Sequence, residues 1–168
     1  KDDLEKIKSQ LKHETLGLIT KFSTRNQSHE NEMKSYFKNS VQFITEGHTL
    51  SGKLNYPRRV ETAYLNNYVY STFLPFAREM MTRFKHVHIL KADGGTMLLE
   101  DAITKPVETI LSGPAASFMG MKALLDQTSD AYLFDIGGTT TDVFFIADGD
   151  VMFEPKGIQI GKHKTLVR

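Results

Sequence analysis

A polar segment between two apolar runs constrains the fold of this chain more than any other sequence feature. The apolar runs are residues 131–134, Ala-Tyr-Leu-Phe, and residues 143–147, Val-Phe-Phe-Ile-Ala. Short apolar runs bounded by turn residues are typical of buried strands. The segment between them, residues 135–142, reads Asp-Ile-Gly-Gly-Thr-Thr-Thr-Asp. The sequence therefore predicts two consecutive strands joined by a tight polar loop.

The composition of this loop suits the binding of a phosphate chain. Gly137 and Gly138 let the backbone approach a ligand closely and adopt positive φ angles. Successive backbone N–H groups in such a turn form an anion-binding concavity. Thr139, Thr140 and Thr141 add hydroxyl donors to these N–H groups. The loop is therefore a candidate phosphate-binding loop.

Two aspartates, Asp135 and Asp142, frame the loop, and a carboxylate of this kind can hold Mg²⁺ through water. The alternative interpretation is a plain β-hairpin with an Asp-capped Gly-Gly turn. Three consecutive threonines and two framing aspartates are more than a hairpin needs, which favours a phosphate-binding loop. The Walker A and dinucleotide-binding loops are excluded because a strand, and not a helix, follows the glycines.

The rest of the sequence alternates between helix and strand patterns. Helices are predicted over residues 2–14, 28–38 with Ser28 as N-cap, 58–84 and 115–126. Strands are predicted over residues 16–20, 41–45, 87–90 and 151–153, with a hairpin turn at 148–150 and a short strand or extended link at 109–111. Pro75 predicts a kink or a break in its helix. These patterns together predict an α/β fold.

Two further segments contain glycine at predicted turns. Ser112 and Gly113 open a helix rich in small residues, with Pro114 in its first turn. A helix N-terminus offers free N–H groups and positive dipole charge to a ligand, but tight packing explains the small residues equally well. The segment Asp93-Gly94-Gly95-Thr96 is a smaller relative of the first loop. Alone it is typical of a plain turn.

Two pairs of neighbouring side chains are candidate metal ligands. His86 and His88 are two residues apart on a predicted strand and would face one side, where Asp93 could join them around a metal. A partly exposed strand face is the simpler interpretation. His29 and Glu30 could also be ligands, and a solvated helix start is the simpler account of that pair.

Composition and charge narrow the classes of function. The 168 residues include 21 Lys+Arg and 20 Asp+Glu, a net charge of +1, which argues against nucleic-acid binding and polybasic membrane attachment. The chain has no Cys, which excludes disulfides, thiolate metal sites and a cysteine nucleophile. No apolar run approaches the ~20 residues of a membrane span. The start lacks a signal peptide and an initiator Met, so we expect a cytoplasmic piece of a longer protein.

Two motifs together resemble the hydantoinase A/oxoprolinase family, which includes N-methylhydantoinase A-like proteins. The first motif is residues 105–116, Lys-Pro-Val-Glu-Thr-Ile-Leu-Ser-Gly-Pro-Ala-Ala, and the second is the loop at 135–142. Shorter upstream matches are Phe22-Ser23, Asn26, His29-Glu30, Arg59-Val60-Glu61-Thr62 and Asp93-Gly94-Gly95. The similarity runs from about residue 16 to about residue 162.

This resemblance implies the ribonuclease-H-like fold of the actin-like ATPases, a mixed sheet flanked by helices. Sugar kinases, actin and heat-shock chaperones bind ATP and Mg²⁺ between two such domains, each with one phosphate-binding hairpin. This chain has only the second hairpin. We therefore expect residues 1–48 to continue from a missing N-terminal part and residues 49–168 to form the core of one such domain. The helix that follows Ser112 would be the one that connects the domains.

The resemblance also implies two groups of site residues. Asp135 and Asp142 would be catalytic, and Asp135 would in addition orient Mg²⁺ or its waters. Asp142 would support the loop or a catalytic water. The expected ATP-binding residues are Gly137, Gly138, Thr139, Thr140, Ser112 and Gly113.

The activity implied by the family is an ATP-dependent hydrolase that opens cyclic amides of the hydantoin or 5-oxoproline type. Alternatives are a subunit of an ATP-using ketone carboxylase, a small-molecule kinase or an activase. A non-enzymatic interaction domain is a further alternative, against which the intact loop argues. The expected partners are a cyclic-amide substrate, the remainder of the polypeptide and a second enzyme subunit, but neither nucleic acid nor membrane. We expect this chain alone to be inactive.

Overall fold

The computed structural model of the chain describes residues 2–12, 14–125, 129–152 and 154–168. Its helices are α1 (Asp2–Gln10), α2 (Ser28–Phe37), α3 (Gly47–Leu50), α4 (Tyr56–Arg83), α5 (Leu99–Thr104) and α6 (Ser112–Leu124), with a 3₁₀ helix at Pro106–Thr109. Its strands are β1 (Thr15–Leu18), β2 (Phe43–Glu46), β3 (His88–Leu90), β4 (Thr96–Leu98), β5 (Ala131–Ile136), β6 (Thr141–Ala147), β7 (Asp150–Val151), β8 (Gln159–Ile160) and β9 (His163–Lys164).

The first of two compact units comprises Lys1–Phe76 and Gln159–Leu166. Strands β1 and β2 pair in parallel, and helix α2 lies between them in sequence and packs on both. Parallel neighbours need such a crossover connection, so this part is a βαβ unit. Phe37 of α2 and Ala63 of α4 are buried in its core. Strands β8 and β9 form a separate antiparallel pair.

The second unit comprises Ala77–Ile158 and Val167–Arg168 and contains two antiparallel sheets. Strands β3 and β4 form one hairpin, and β5, β6 and β7 form a three-stranded sheet in that order. Helix α6 packs on one face of this sheet, where Phe118 contacts Leu133 and Ile146 in a buried cluster. The predicted mixture of helices and strands is confirmed, although each of the observed sheets is small.

Three local predictions are wrong at least in part. The predicted break at Pro75 is wrong, since helix α4 runs from Tyr56 to Arg83 with Pro75 inside it, while the predicted kink stays a prediction. Residues 109–111 are not a strand, because Thr109 ends a 3₁₀ helix and Leu111 has a left-handed φ of 66°, although Ile110 between them is extended. The N-cap residue of α2 is Gln27 and not Ser28, and the Ser28 N–H donates to Asn26 Oδ1 at 3.0 Å.

Some predicted boundaries remain predictions. The predicted helix end at Asp126 and the predicted strand end at Phe153 lie outside the described residues. The predicted division of the chain between residues 48 and 49 assumed that an N-terminal part is missing. It stays a prediction, because the two compact units describe a different property of the chain. Within the described part of the chain, no helix combines the length and the apolar character that crossing a membrane requires.

Candidate functional site

The polar segment 135–142 closes a β-hairpin, as its sequence predicts. Strands β5 and β6 pair up to Ile136 and Thr141, which leaves residues 137–140 as the connecting loop. The Gly137 N–H donates to the Thr140 carbonyl at 2.9 Å and closes the loop. All four loop residues are exposed. The loop is therefore open to a ligand from solvent.

The two loop glycines differ in what a side chain would meet. A Cβ on Gly137 would lie 3.3 Å from the Thr140 carbonyl oxygen, which is a tight contact with backbone, whereas a Cβ on Gly138 would meet open space. Neither glycine has a left-handed φ, so the predicted positive φ angles are wrong. The loop closes through the hydrogen bond between Gly137 and Thr140. The open space at Gly138 leaves room for a bound group.

Asp135 and Asp142 lie directly opposite each other across the two strands. Both are half-buried. Like charges at directly opposite positions repel each other and destabilise a sheet. A hard cation with oxygen ligands offsets this repulsion, and Mg²⁺ prefers carboxylates together with water. The pair therefore fits Mg²⁺ by its chemistry, and the structure brings together the two residues that the sequence assigned as catalytic.

Ser112 and Gly113 form the start of α6. The preceding Leu111 is left-handed and no side chain caps the helix, and the first N–H groups of a helix have no acceptor within the helix itself. Ala115 N–H donates to the Leu111 carbonyl at 3.2 Å, which closes the first turn. An uncapped N-terminus of this kind attracts anions.

The start of α6 lies toward the loop end of the hairpin. Helix α6 ends at Leu124 and β5 begins at Ala131, a connection short enough to make helix and strand antiparallel neighbours. Phe118 packs on Phe144 with ring centroids 5.3 Å apart, which shows that the helix covers this hairpin. The first turn of α6 and the end of β5 are therefore at the same end of the sheet.

An apolar cavity of about 440 Å³ lies between α6 and neighbouring segments of the second unit. Its lining includes Pro114, Ala115 and Phe118 from α6 and Phe144 from β6. Phe144 follows Asp142 by two residues, and residues two apart on a strand share a face. The cavity and the carboxylate pair therefore lie along the same face of the hairpin.

The Asp93-Gly94-Gly95 segment is a structural turn between β3 and β4. Asp93 Oδ1 accepts the Gly95 N–H at 2.9 Å, and Lys91 Nζ donates to Asp93 Oδ2 at 2.9 Å. Burial raises the pKa of the Asp93 carboxyl, but these hydrogen bonds outweigh burial and lower it overall. The hydrogen bond to Asp93 in turn raises the pKa of Lys91. Both carboxylate oxygens of Asp93 accept hydrogen bonds within the turn. The position of this carboxylate is therefore explained without a bound ligand.

The first unit contains a buried carboxylate that the sequence interpretation missed. Glu30 is fully buried, so the interpretation of His29-Glu30 as a solvated helix start is wrong for Glu30. Glu30 Oε1 accepts the Thr20 N–H at 2.6 Å, and Oε2 accepts the His48 N–H at 2.9 Å and lies 2.7 Å from His48 Nδ1. Burial raises the pKa of Glu30, but hydrogen bonds from Thr20, His48 and Ser23 lower it below its ordinary value.

Arg59 is a buried cationic residue in the same region as Glu30. It is fully buried and donates to three backbone carbonyls, those of Lys53 at 2.7 Å, Thr20 at 2.9 Å and Lys21 at 3.0 Å. Thr20 therefore donates to Glu30 and accepts from Arg59. The signal for this pair was the upstream matches to the family, which included both residues. Their contacts fix backbone segments and make the pair a structural element of the first unit.

The histidine pair does not form a metal site. His86 lies before β3, with a φ of 57°, and His88 opens that strand. Both side chains are exposed. Across the residues that the structure describes, no group of three or more His, Asp or Glu side chains is arranged to hold a metal ion. The interpretation as exposed surface is therefore the one the structure supports.

Comparisons with known proteins identify a family and a similar solved structure. The model of the hydantoinase/oxoprolinase family matches residues 59–168. A solved nucleotide-free structure of acetone carboxylase, from work on the mechanism of ATP-dependent acetone carboxylation, superposes with a TM-score of 0.79 at 17% sequence identity. The superposition covers 99% of this chain and 25% of the acetone carboxylase chain. A comparison with curated proteins finds no match.

Proposed function

Because the chain belongs to the hydantoinase/oxoprolinase family, we propose that it is part of an ATP-dependent hydrolase that opens cyclic amides of the hydantoin or 5-oxoproline type. The observation that carries this proposal is the hairpin in which two half-buried aspartates face each other beneath an open glycine loop. A loop of backbone N–H groups beside paired carboxylates would supply phosphate donors and Mg²⁺ ligands from one side of a nucleotide site. We further propose that the domain has the ribonuclease-H-like fold of the actin-like ATPases.

In this proposal the loop residues and the start of α6 hold phosphate oxygens. Gly138 leaves open space above the backbone, and Thr139 is exposed at the same turn. The first N–H groups of α6, at Ser112 and Gly113, add donors and the positive end of the helix dipole. Preorganised donors of this kind stabilise charge without reorganising during the reaction.

The two aspartates have different proposed roles. Asp135 would orient Mg²⁺ through its waters. Asp142 and Thr140 would support the loop or hold the attacking water, because Thr140 closes the loop through its carbonyl. Bound ATP would supply the phosphoryl group that activates an amide or carbonyl oxygen for ring opening. Positioning and electrostatic stabilisation are the contributions that such sites make to phosphoryl transfer.

A second candidate is the ATP-using subunit of a ketone carboxylase. The similarity to acetone carboxylase over 99% of this chain favours it. Both candidates require activation of an oxygen atom by ATP, so the hairpin serves either. They differ in the substrate, which the residues of this chain do not specify.

The remaining expectations on the whole protein are proposals of the same kind. The chain spans 25% of the acetone carboxylase chain that it matches. We propose that it acts within a longer cytoplasmic polypeptide, that this polypeptide works with a second enzyme subunit, and that the 168 residues alone are inactive.

Substrate-dependent ATP hydrolysis by the intact polypeptide tests the proposed function. Hydantoins and 5-oxoproline would be compared with ketones plus bicarbonate, and with sugars as the control for a kinase. We expect cyclic amides to stimulate hydrolysis and to be opened in a fixed ratio to ADP. Stimulation by ketones plus bicarbonate alone would select the carboxylase. ATP hydrolysis that no substrate stimulates would count against both.

A further inference from the structure

One surface of the first unit combines exposed apolar side chains with exposed cations. We call it the basic-apolar surface and define it as Phe22, Leu54 and Tyr56 together with Lys21 and Arg25. Phe22, Leu54 and Tyr56 are 59%, 50% and 37% exposed, and both cations are exposed. Lys21 Nζ lies 5.6 Å from the centroid of the Phe22 ring, within the range of a cation–π interaction.

The buried Arg59 brings the parts of this surface together. Its guanidinium group donates to two carbonyls in the segment that carries Phe22, at 2.9 and 3.0 Å, and to the carbonyl immediately before Leu54, at 2.7 Å. The same guanidinium group lies 6.0 Å from the centroid of the Tyr56 ring. Two segments that are distant in sequence therefore meet at one buried side chain, and each carries an exposed apolar residue next to that meeting point.

The turn that carries Phe22 is fixed by hydrogen bonds. The Phe22 carbonyl accepts the N–H groups of Arg25 at 2.9 Å and Asn26 at 3.0 Å, and the buried Glu30 accepts the Thr20 N–H at 2.6 Å. Burying a charged group is costly unless hydrogen bonds compensate it. Two buried charged side chains, a carboxylate and a guanidinium, are thus committed to the backbone of an exposed turn. A turn fixed in advance loses less entropy when it binds a partner.

The charge on this surface is positive. Residues 20–28 and 51–60 contain Lys and Arg but no Asp or Glu. The nearest carboxylate after the first segment, Glu30, is fully buried. The nearest carboxylates on either side of the second segment are Glu46, which pairs with Lys34 at 2.5 Å, and Glu61, which pairs with His163. A partner with acidic groups therefore complements this surface.

We propose that the basic-apolar surface binds a short acidic segment of a partner protein, with a bulky apolar side chain of that segment packed on Phe22, Leu54 and Tyr56. The exposed fractions of these three side chains amount to on the order of 300 Å² of apolar surface, and patches of this size on monomers are often functional. Two folded proteins in a stable complex bury roughly 1,200–2,000 Å² in total. The surface therefore suits a short segment and is too small for a second copy of this chain.

The charges favour a protein segment over a membrane or a nucleic acid. Recognition of anionic lipids takes a cluster of roughly 4–8 Lys or Arg, and salt-dependent binding to DNA involves roughly 6–10 phosphate contacts. The basic-apolar surface has only Lys21 and Arg25, on a chain with a net charge of +1. Leu54 adds an aliphatic side chain, which packs on apolar groups but offers no ring on which a base could stack.

Selection of random short peptides by phage display on the 168-residue chain tests this inference. The most enriched peptide would then be synthesised with a fluorescent label, and anisotropy would give its Kd for the chain and for four variants. Phe22→Ser and Lys21→Glu alter the basic-apolar surface. Tyr68→Ser and Lys38→Glu are the matched controls, at exposed positions elsewhere in the first unit. Circular dichroism would confirm that each variant folds.

We expect the enriched peptides to combine Asp or Glu with a bulky apolar residue. Phe22→Ser and Lys21→Glu should each raise the Kd at least about tenfold, as loss of a central interface contact does, while the controls stay within about twofold. Rising salt should weaken binding, because the charges involved are exposed.

Several outcomes would overturn the inference. These are no enrichment, enriched peptides without acidic residues, or controls that weaken binding as much as the test variants. Tighter Phe22-dependent binding of oligo-dT or of phosphatidylserine vesicles would assign the surface to that class of partner, and Phe22-dependent self-association in sedimentation would assign it to a second copy. Peptide binding by the 168-residue chain but not by the intact polypeptide would show that the polypeptide covers this surface itself. ATP hydrolysis is not a readout, so the proposed function can fail while this inference stands.

Discussion

At the scale of single residues, the hairpin combines a destabilising charge pair with a proposed binding role. Asp135 and Asp142 face each other, and nothing in their strand pairing relieves the repulsion between two carboxylates. Proteins retain such arrangements where a ligand needs them. Stability and activity should therefore respond in opposite directions when one charge is removed.

Asp142→Asn tests this opposition. In the 168-residue chain without Mg²⁺, we expect the free energy of unfolding to rise by about 0.2–1 kcal/mol, because a cross-strand like-charge pair disappears. In the intact polypeptide, we expect ATP turnover to fall. Urea denaturation and a turnover assay measure the two effects. Asp148→Asn is the control, since Asp148 lies in the next hairpin turn with a φ of 52° that Asn tolerates. Unchanged turnover in Asp142→Asn would remove this residue from the mechanism.

The buried carboxylate of Glu30 sets a pH dependence of stability. Hydrogen bonds lower its pKa in the folded chain from an ordinary value of 4.5. Its stabilising contribution is therefore fully present above about pH 4.5 and is lost as the pH falls through the lowered folded pKa. Glu30→Gln should cost about 1–3 kcal/mol at pH 7, because the amide leaves a buried N–H donor without its acceptor.

Chemical denaturation at several pH values between 3 and 7 measures this effect. The Glu30→Gln chain should lose less stability on acidification than the unaltered chain. Glu32→Gln, at an exposed position on the same helix, should match the unaltered chain throughout. Parallel acid profiles for Glu30→Gln and the unaltered chain would contradict the assignment of the pH dependence to Glu30.

At the scale of elements, the sequence predicts best where a short pattern determines local geometry. The Asp148-Gly149 turn forms as predicted, with φ angles of 52° and 78°, because these residue types tolerate the left-handed region that a two-residue hairpin requires. The loop at 135–142 is likewise a hairpin. Its phosphate-binding role stays a prediction. The loop sequence alone determines the hairpin geometry, whereas binding also depends on the ligand.

The failure at Glu30 lies where a tertiary contact outweighs a local signal. Glu30 has the sequence context of a solvated helix start, yet it is buried and accepts hydrogen bonds from the N–H groups of Thr20 and His48, which are 10 and 18 residues away. The failure at the N-cap of α2 is local, because the Ser28 N–H donates to Asn26 Oδ1 only two residues before it. No local pattern could reveal the partners of Glu30. Resemblance to a family identified Glu30 and Arg59 as notable without giving their structural role.

Helix α4 offers a test of an element with an unfavourable residue. Pro75 is exposed within the helix, where its ring prevents one backbone hydrogen bond. Pro75→Ala should raise the free energy of unfolding by about 1–3 kcal/mol, since interior proline costs up to about 3 kcal/mol relative to alanine. Thermal unfolding measures the change. Thr72→Ala, at another exposed position of the same helix, should change stability much less. A loss of stability in Pro75→Ala would show that the proline ring contributes packing.

At the scale of the whole molecule, the proposed nucleotide site depends on how much of a longer protein these residues represent. The family model matches residues 59–168, and the acetone carboxylase chain is matched over 25% of its length. The hairpin, the start of α6 and the apolar cavity all belong to the second compact unit. In the proposed two-domain arrangement, this unit would supply one of the two walls of the nucleotide cleft.

Calorimetric titration of Mg²⁺-ATP into the 168-residue chain therefore has a defined expected outcome. We expect no binding, or a Kd of about 1 mM or weaker, which corresponds to no more than about −4 kcal/mol of binding free energy. Residual binding should weaken further in Asp135→Asn, because that substitution removes the charge proposed to orient Mg²⁺. Asp148→Asn should leave it unchanged. Micromolar binding by the unaltered chain would mean that the hairpin, α6 and the cavity form a complete nucleotide site, and the proposal of a cleft shared between two domains would then have to be abandoned.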